Sequence, residues 1–112
     1  MSPVRHLVLF VVQPSVSDAA VAEAITALRD LGEQPGIVSW RIELSRDLRK
    51  GRVIVENALF VDRAAFTAFR LSPEHQQVSA RLAAIADWLV GDYLEQPGGE
   101  PESGRAVIAA LD

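Results

Sequence analysis

The sequence predicts an α+β sandwich in which a four-stranded antiparallel sheet carries helices on one face. Stretches with strand-like apolar patterns occur near the start, in the middle and near the end of the chain, and stretches with helical spacing separate them. Their order is strand, helix, two strands, paired helices and strand, which is the ferredoxin-like βαββαβ order. The 112 residues are enough for one domain with one core.

The first strand is predicted at Val4 to Val12, and it is apolar on both faces. Its even positions include His6 and Phe10, and its odd positions include Leu7 and Leu9. Such a pattern is typical of a central strand that is covered on both sides. Because helices cover only one face of this sheet, we expect a homodimer that pairs its sheets face to face.

The next three elements follow from capping residues and alternation. A helix is predicted after Ser17, which is placed to cap it, and the helix closes near Gly32 to Gly36. From Val38 to Leu44 apolar residues alternate with polar ones, which predicts a half-buried strand. Another strand is predicted at Val53 to Val61, where apolar residues again predominate.

The last part of the chain contains two helices, a strand and a tail. Asp62 starts a short helical stretch, and Ser72-Pro73 start a longer helix as N-cap and first-turn proline. The final strand is predicted at about Trp88 to Glu95. Residues 97–112 are predicted to form a flexible tail, with a possible docking site on the partner subunit, which leaves residues 1–96 as the folded domain.

Composition argues against several classes of function. The chain has no cysteine, so disulfides, thiolate chemistry and cysteine zinc sites are excluded. A net charge of -4 without a basic block argues against nucleic-acid or anionic-membrane partners. No apolar run approaches the roughly 20 residues that span a membrane, and the start resembles no secretory signal. We therefore expect a cytoplasmic protein.

The two histidines, the only ones in the chain, fall on apolar elements. If the third strand turns Glu56 toward the helices, His6 on the first strand has Glu56 on one side and Asp92 on the other. Two carboxylates favour the charged form of His6, whereas a helix N-terminus favours the neutral form of His75. Two titratable groups whose pKa values are shifted in opposite directions are suited to act as an acid and base pair.

Each of these placements has a structural alternative. His75 can simply complete the cap region of its helix, and His6 with Asp92 can be a structural pair between neighbouring strands. A register slip of one residue would turn Glu56 to solvent or to a partner subunit. These alternatives stay open at the level of the sequence.

Three motifs carry a resemblance to a known family. Residues 5–10 (RHLVLF), residues 72–75 (SPEH) and residues 91–93 (GDY) resemble the stress-responsive A/B barrel (Dabb) domain family of dimeric α/β barrels. The resemblance covers about residues 4 to 95. It implies the ferredoxin-like fold, a dimer whose two sheets form a barrel, and a pocket between sheet and helices.

The resemblance also implies roles for residues of this chain. Similarity to a polyketide cyclase of the family implies that His75 is the general base and that His6 corresponds to the pocket histidine of the first strand. Phe69 and Ile54 stand where those cyclases have a tyrosine and a third histidine. With Glu56 added as a catalytic candidate, the residues expected to bind substrate are Val8, Phe10, Ile54, Phe66, Phe69, Trp88 and Asp92.

Three functions are compatible with these residues. The first is a cofactor-free enzyme for proton transfer, cyclisation or isomerisation of a carbonyl or polyketide-like compound, with His75 as base and His6 or Glu56 as acid or orienting group. The second is a non-catalytic small-molecule-binding or stress-related homodimer, and the third is a cofactor-free monooxygenase. No cofactor is expected, and no metal is expected because His6 and His75 lack any local ligand spacing.

Overall fold

The computed structural model describes residues 2–96. Its elements follow the predicted order, and a short 3₁₀ turn at Leu31–Glu33 follows the first helix. The predicted tail at 97–112 lies outside the described residues. The strands are β1 (Val4–Val12), β2 (Ile37–Leu44), β3 (Val53–Phe60) and β4 (Ala86–Leu94), and the α-helices are α1 (Asp18–Asp30), α2 (Arg63–Leu71) and α3 (Pro73–Ala83).

The four strands form one antiparallel sheet in the order β2-β3-β1-β4. The predicted position of β1 between β3 and β4 is therefore confirmed. His6 lies opposite Ala58 on β3 and opposite Asp92 on β4. Residues that are paired directly across neighbouring strands point to the same face of a sheet. His6, Ala58 and Asp92 therefore all lie on the face that carries the helices.

Each α-helix begins at a side-chain cap. Ser17, Asp62 and Ser72 each accept a hydrogen bond from the backbone amide three residues later. Such a cap satisfies an amide that the helix itself cannot pair, and its loss costs about 1 kcal/mol. The predicted starts of all three helices are thus confirmed, with the proline at the opening of α3 where its missing N–H costs nothing.

The apolar core lies between the sheet and the helices. Its largest fully buried side chains are Phe60, Ile42, Ile54 and Leu82. Burying a side chain of this size stabilises the fold by about 1.5–3 kcal/mol. Trp40 closes the core near α1, where its indole N–H donates to the carbonyl of Leu28 at 3.0 Å.

Strand β2 departs from the simple alternation that its sequence predicts. The register against β3 shifts between Ile37 and Ser39, which indicates a β-bulge, and the ladder is regular from Ser39 onward. The extra residue at Val38 falls out of the pattern and its surface is 60% exposed. Val38 is therefore not buried with Trp40 and Ile42, as strict alternation would require.

A glycine brings the start of β2 close to α2. Gly36 has φ +85°, a backbone conformation that residues with a side chain rarely adopt. A Cβ at this position would lie 2.5 Å from Cβ of Ala65. The carbonyl of Gly36 also accepts a hydrogen bond from the amide of Val61 at 2.9 Å, which holds the end of β3 against the start of β2.

The face of the sheet away from the helices is apolar on three strands. This outward face includes Leu7, Leu9 and Val11 on β1, Val53, Val55 and Leu59 on β3, and Leu89 and Tyr93 on β4. Beside them Arg5 donates to Glu95 at 2.8 Å and to Asn57 at 2.9 Å.

None of the helices in residues 2–96 has the length and apolar character that crossing a membrane requires.

Candidate functional site

A cavity of about 340 Å³ lies between the sheet and the helices. Three strands, all three α-helices and the 3₁₀ turn contribute to its wall, which is mainly apolar. This volume is at the lower end of the range for pockets that hold small organic molecules. The polar side chains of the wall are His6, Glu56, Arg70, His75, Ser79 and Asp92.

His6 lies between two carboxylates. Its Nδ1 is 2.6 Å from Oδ1 of Asp92, and its Nε2 is 3.1 Å from Oε2 of Glu56. Asp92 is the cross-strand neighbour on β4, whereas Glu56 is the diagonal neighbour on β3, two residues from Ala58. Since only 6% of His6 and 4% of Glu56 is exposed, the arrangement is largely shielded from water.

This environment favours the charged form of His6. Burial by itself lowers the pKa of the imidazole, but hydrogen bonds to Glu56 and Asp92 and the charges of both carboxylates together raise the pKa above the ordinary 6.5. In the charged form both ring N–H groups donate, one to each carboxylate. The protons of His6 are thus committed to protein groups rather than directed at a ligand.

His75 has the opposite character. Burial lowers its pKa below 6.5, and the positive charges of His6 and Arg70 act in the same direction, while the charge of Glu56 and a hydrogen bond with the backbone of Arg70 oppose them. The ring packs edge-on against Phe69, with centroids 4.8 Å apart. Within residues 2–96, no hydrogen-bond partner reaches the buried Nδ1. A neutral imidazole keeps a lone pair that can accept a proton.

The backbone of α3 fixes the position of His75. The residue is the third of the helix, and its amide donates to the side chain of Ser72 at 3.2 Å. The cap and the pocket placement are therefore compatible, because the cap uses the backbone amide and leaves the ring for the cavity wall. The structural role and the pocket role predicted for each histidine are therefore compatible. His6 pairs with Asp92 between two strands, His75 lies in the cap region of α3, and both side chains line the same cavity.

Five of the seven predicted substrate-binding residues line the cavity. They are Val8, Phe10, Phe66, Trp88 and Asp92. Aromatic contacts set the positions of two of them: Phe66 lies 4.9 Å from the ring of His6, and Trp88 lies 5.3 Å from the ring of Phe10. Glu56 faces the same cavity, so β3 has the register that turns this carboxylate toward the helices.

Ile54 and Phe69, the other two residues, do not form part of the cavity wall. Ile54 has no exposed surface and belongs to the apolar core. Phe69 is buried between Phe60, Trp40 and the ring of His75. Its role in the site is to support His75, because a ring packed against the imidazole restricts the orientation of that side chain.

Two polar residues of the wall were not found from the sequence. Ser79 lies one turn after His75 on α3, and Arg70 lies one turn after Phe66 on α2. Residues four apart share a face of a helix, so this spacing is the signal that would have identified both. The guanidinium of Arg70 is 5.6 Å from the centre of the Phe66 ring, which places it over that aromatic face.

The donor atoms of the site have limited capacity for a metal ion. In the part of the chain from residue 2 to residue 96, no group of three or more histidine, aspartate or glutamate side chains is arranged to hold one. Both ring nitrogens of His6 already contact carboxylates. The arrangement thus resembles a buried hydrogen-bond network inside an apolar pocket.

Comparison with known proteins gives a family match and many structural matches. The model of the family described as stress responsive A/B barrel domain (Dabb) matches residues 4–95. No curated protein has significant similarity to the chain. Among solved structures, a dimeric ferredoxin-like protein of unknown function from Thermobifida fusca has a TM-score of 0.76 at 22% identity, over 84% of this chain and 92% of that one.

Two further structures are those of enzymes. A hydroxynitrile lyase from Passiflora edulis has a TM-score of 0.76 at 18% identity, over 88% of this chain and 98% of that one. A cofactor-independent oxygenase from Streptomyces nogalater has a TM-score of 0.69 at 21% identity, over 88% of this chain and 97% of that one. At these identities the likeness establishes the ferredoxin-like fold alone.

Proposed function

This chain belongs to the stress-responsive A/B barrel domain family, and we propose that it is a cofactor-free enzyme that transfers a proton next to a carbonyl group. The observation that carries the proposal is the pair of histidines on one small cavity, His6 held toward its charged form and His75 toward its neutral form. Groups whose environments separate their pKa values in this way are suited to acid and base roles.

The proposed reaction begins at His75. Its neutral imidazole removes a proton from a carbon adjacent to the substrate carbonyl, the electrons of the broken C–H bond form a C=C bond, and the carbonyl electrons move onto oxygen. His75 then returns a proton to a carbon or to the oxygen, either the one it removed or one that its imidazolium has exchanged with solvent, so that atoms and charge balance. General base catalysis by a positioned histidine contributes about 10²–10⁴-fold to the rate.

His6 is a positioning residue in this proposal. Both of its N–H groups donate to Glu56 and Asp92, so it holds those carboxylates in place. Of the acid and orienting roles predicted for His6 and Glu56, we propose the orienting role.

One structural relative, the cofactor-independent oxygenase, supports a reaction without a cofactor. The S. nogalater protein is a cofactor-independent oxygenase and the P. edulis protein is a hydroxynitrile lyase, so this fold supports enzymes of both kinds. The oxygenase favours a second candidate for this chain: a carbanion formed by His75 that reacts with molecular oxygen, as a cofactor-free monooxygenase would require.

The test is exchange of carbon-bound hydrogen for deuterium in phenylacetone and 4-phenyl-2-butanone, followed by proton NMR in D₂O. The wild type should accelerate exchange with saturation, and His75→Gln should reduce the rate about 100-fold or more. Glu74→Gln changes the neighbouring residue and should retain the rate. Equal exchange by wild type and His75→Gln contradicts the proposal, whereas saturable binding without exchange indicates a binding protein.

We also propose that two copies pair through the outward faces of their sheets. The apolar residues on β1, β3 and β4 support this, because a monomer rarely exposes so continuous an apolar patch. The T. fusca protein of the same fold is dimeric. A cytoplasmic location and the absence of nucleic-acid and membrane partners stay predictions from the sequence.

A further inference from the structure

Arg70 is the cation of the cavity wall that has no carboxylate partner. In residues 2–96, five arginines form ion pairs with aspartate or glutamate, and Arg70 is not one of them. The two carboxylates of the same cavity, Glu56 and Asp92, both contact His6 instead. The donors of the Arg70 guanidinium are thus available at a site where a ligand can reach them.

The surroundings of Arg70 determine where a ligand would sit. The side chain is exposed at its own position on α2, yet it lines the cavity together with His75. The guanidinium lies over the ring of Phe66, and the same ring packs against His6 and Phe60. A group bound by Arg70 therefore lies at the opening of the cavity, and the apolar remainder of the ligand extends into the interior.

We propose that Arg70 binds a carboxylate, so that the ligand of this cavity is an apolar molecule with an acid group at one end. A guanidinium donates two parallel hydrogen bonds to a carboxylate, and this geometry is well suited to one singly charged anion. The interior wall beside it is apolar, with Phe10, Leu82 and Trp88 available for an aromatic or branched body. This inference deepens the proposed function, since it names the substrate class of the same cavity.

A purely structural role of Arg70 predicts different behaviour. Arg70 lies in the last turn of α2, where a positive charge is favourable for the helix dipole, and its contact with Phe66 also stabilises the helix. These effects concern the folded protein as a whole. They give no reason for a charged ligand to bind better than a neutral ligand of the same shape.

The experiment compares phenylacetate with phenylacetamide, which have the same shape and differ in charge. Binding to the wild type, Arg70→Ala, Arg70→Lys and Arg81→Ala is measured at pH 8 by NMR titration. Arg81 is the matched control, because it also lies in the last turn of a helix and does not line the cavity. We expect the wild type to bind phenylacetate about tenfold more tightly than phenylacetamide, as a charge-assisted pair implies.

The ratio of the two affinities is the informative quantity. It should fall to about one in Arg70→Ala, take an intermediate value in Arg70→Lys, which keeps the charge but loses the planar fork, and stay unchanged in Arg81→Ala. A wild type without this preference, or without saturable phenylacetate binding, overturns the inference, as does a preference that survives in Arg70→Ala. Deuterium exchange lost in His75→Gln would still support the proposed reaction, and phenylacetate binding without exchange would support Arg70 alone.

Discussion

His6 and Asp92 face each other across β1 and β4, and Nδ1 of His6 lies 2.6 Å from Oδ1 of Asp92. The strand ladder itself sets this contact, because the two residues are directly paired in the register. The carboxylate of Glu56 on β3 then meets the other ring nitrogen at 3.1 Å. A histidine with a carboxylate at each nitrogen is therefore a product of the strand order β3-β1-β4.

The first prediction concerns the pKa of His6. Glu56→Gln removes a buried charge and a hydrogen bond that raise this pKa, so the pKa of His6 should fall toward or below 6.5. Asp92→Asn should have a smaller effect, because Asp92 is more exposed to water than Glu56. The measurement is NMR titration of the His6 ring protons. Glu95→Gln is the control, since Glu95 pairs with Arg5 instead, and a His6 pKa insensitive to Glu56→Gln would contradict this account.

The second prediction concerns stability against pH. The folded-state pKa of His75 is below 6.5, so its contribution is fully present above pH 6.5 and is lost as the pH falls through the folded value. The folded-state pKa of His6 is above 6.5, so its contribution is present below pH 6.5 and is lost as the pH rises through the folded value.

Urea unfolding at a series of pH values checks both signs. His75→Gln should flatten the loss of unfolding free energy below pH 6.5 and leave the alkaline side unchanged. His6→Gln should remove the alkaline loss and lower stability throughout, because it leaves Glu56 and Asp92 close together without the cation between them. Identical acid-side slopes in wild type and His75→Gln would show that His75 titrates normally.

The third prediction compares two glycines with the same backbone conformation. Gly36 and Gly51 both have φ +85°, but a Cβ at Gly36 would meet Ala65, and a Cβ at Gly51 would meet nothing within 4 Å. Gly51→Ala should therefore cost only the backbone strain, about 1–2 kcal/mol. Gly36→Ala should cost about 1–3 kcal/mol more, for the clash with α2. Equal losses in thermal or urea unfolding would mean that β2 and α2 are not in close contact there.

The fourth prediction tests the proposed dimer. Leu89 on β4 is 71% exposed and lies opposite Leu9 of β1 on the outward face. Leu89→Asp would place a charge in a sheet-to-sheet interface, so light scattering should give the mass of one chain instead of two. Leu71→Asp alters an exposed leucine on α2 and should leave the mass of the dimer unchanged. A dimeric Leu89→Asp would place the contact elsewhere.

The central part of the site could be predicted because it depends on strand order and side-chain alternation. Once β1 is assigned between β3 and β4, His6, Glu56 and Asp92 fall on one face of three adjacent strands, and these are short-range rules. The caps at Ser17, Asp62 and Ser72 are equally local, because one side chain and one amide determine each of them.

The positions of the remaining residues could not be predicted, because they depend on how deeply the helices pack and on local irregularities that do not follow the periodic pattern of the sequence. Ile54 and Phe69 lie between the sheet and the helices, as the pocket does, yet both are buried in the apolar core. How deeply they are buried depends on the packing of all the helices. Val38 is displaced by a bulge that interrupts the alternation of β2. Arg70 was missed because a cation near a helix end usually serves the dipole and the solvent, and only the packed structure shows it at the opening of a cavity.

Strand β4 supplies Trp88, Val90 and Asp92 to the cavity, and in the sheet formed by residues 2–96 its one neighbouring strand is β1. An edge strand can separate from its single neighbour without breaking any other ladder. Opening of β4 would widen the entrance and at the same time remove Asp92 from His6. Such an opening would link the passage of a ligand to the charge state of the buried imidazole, and slow hydrogen exchange along β4 would show instead that β4 stays paired with β1.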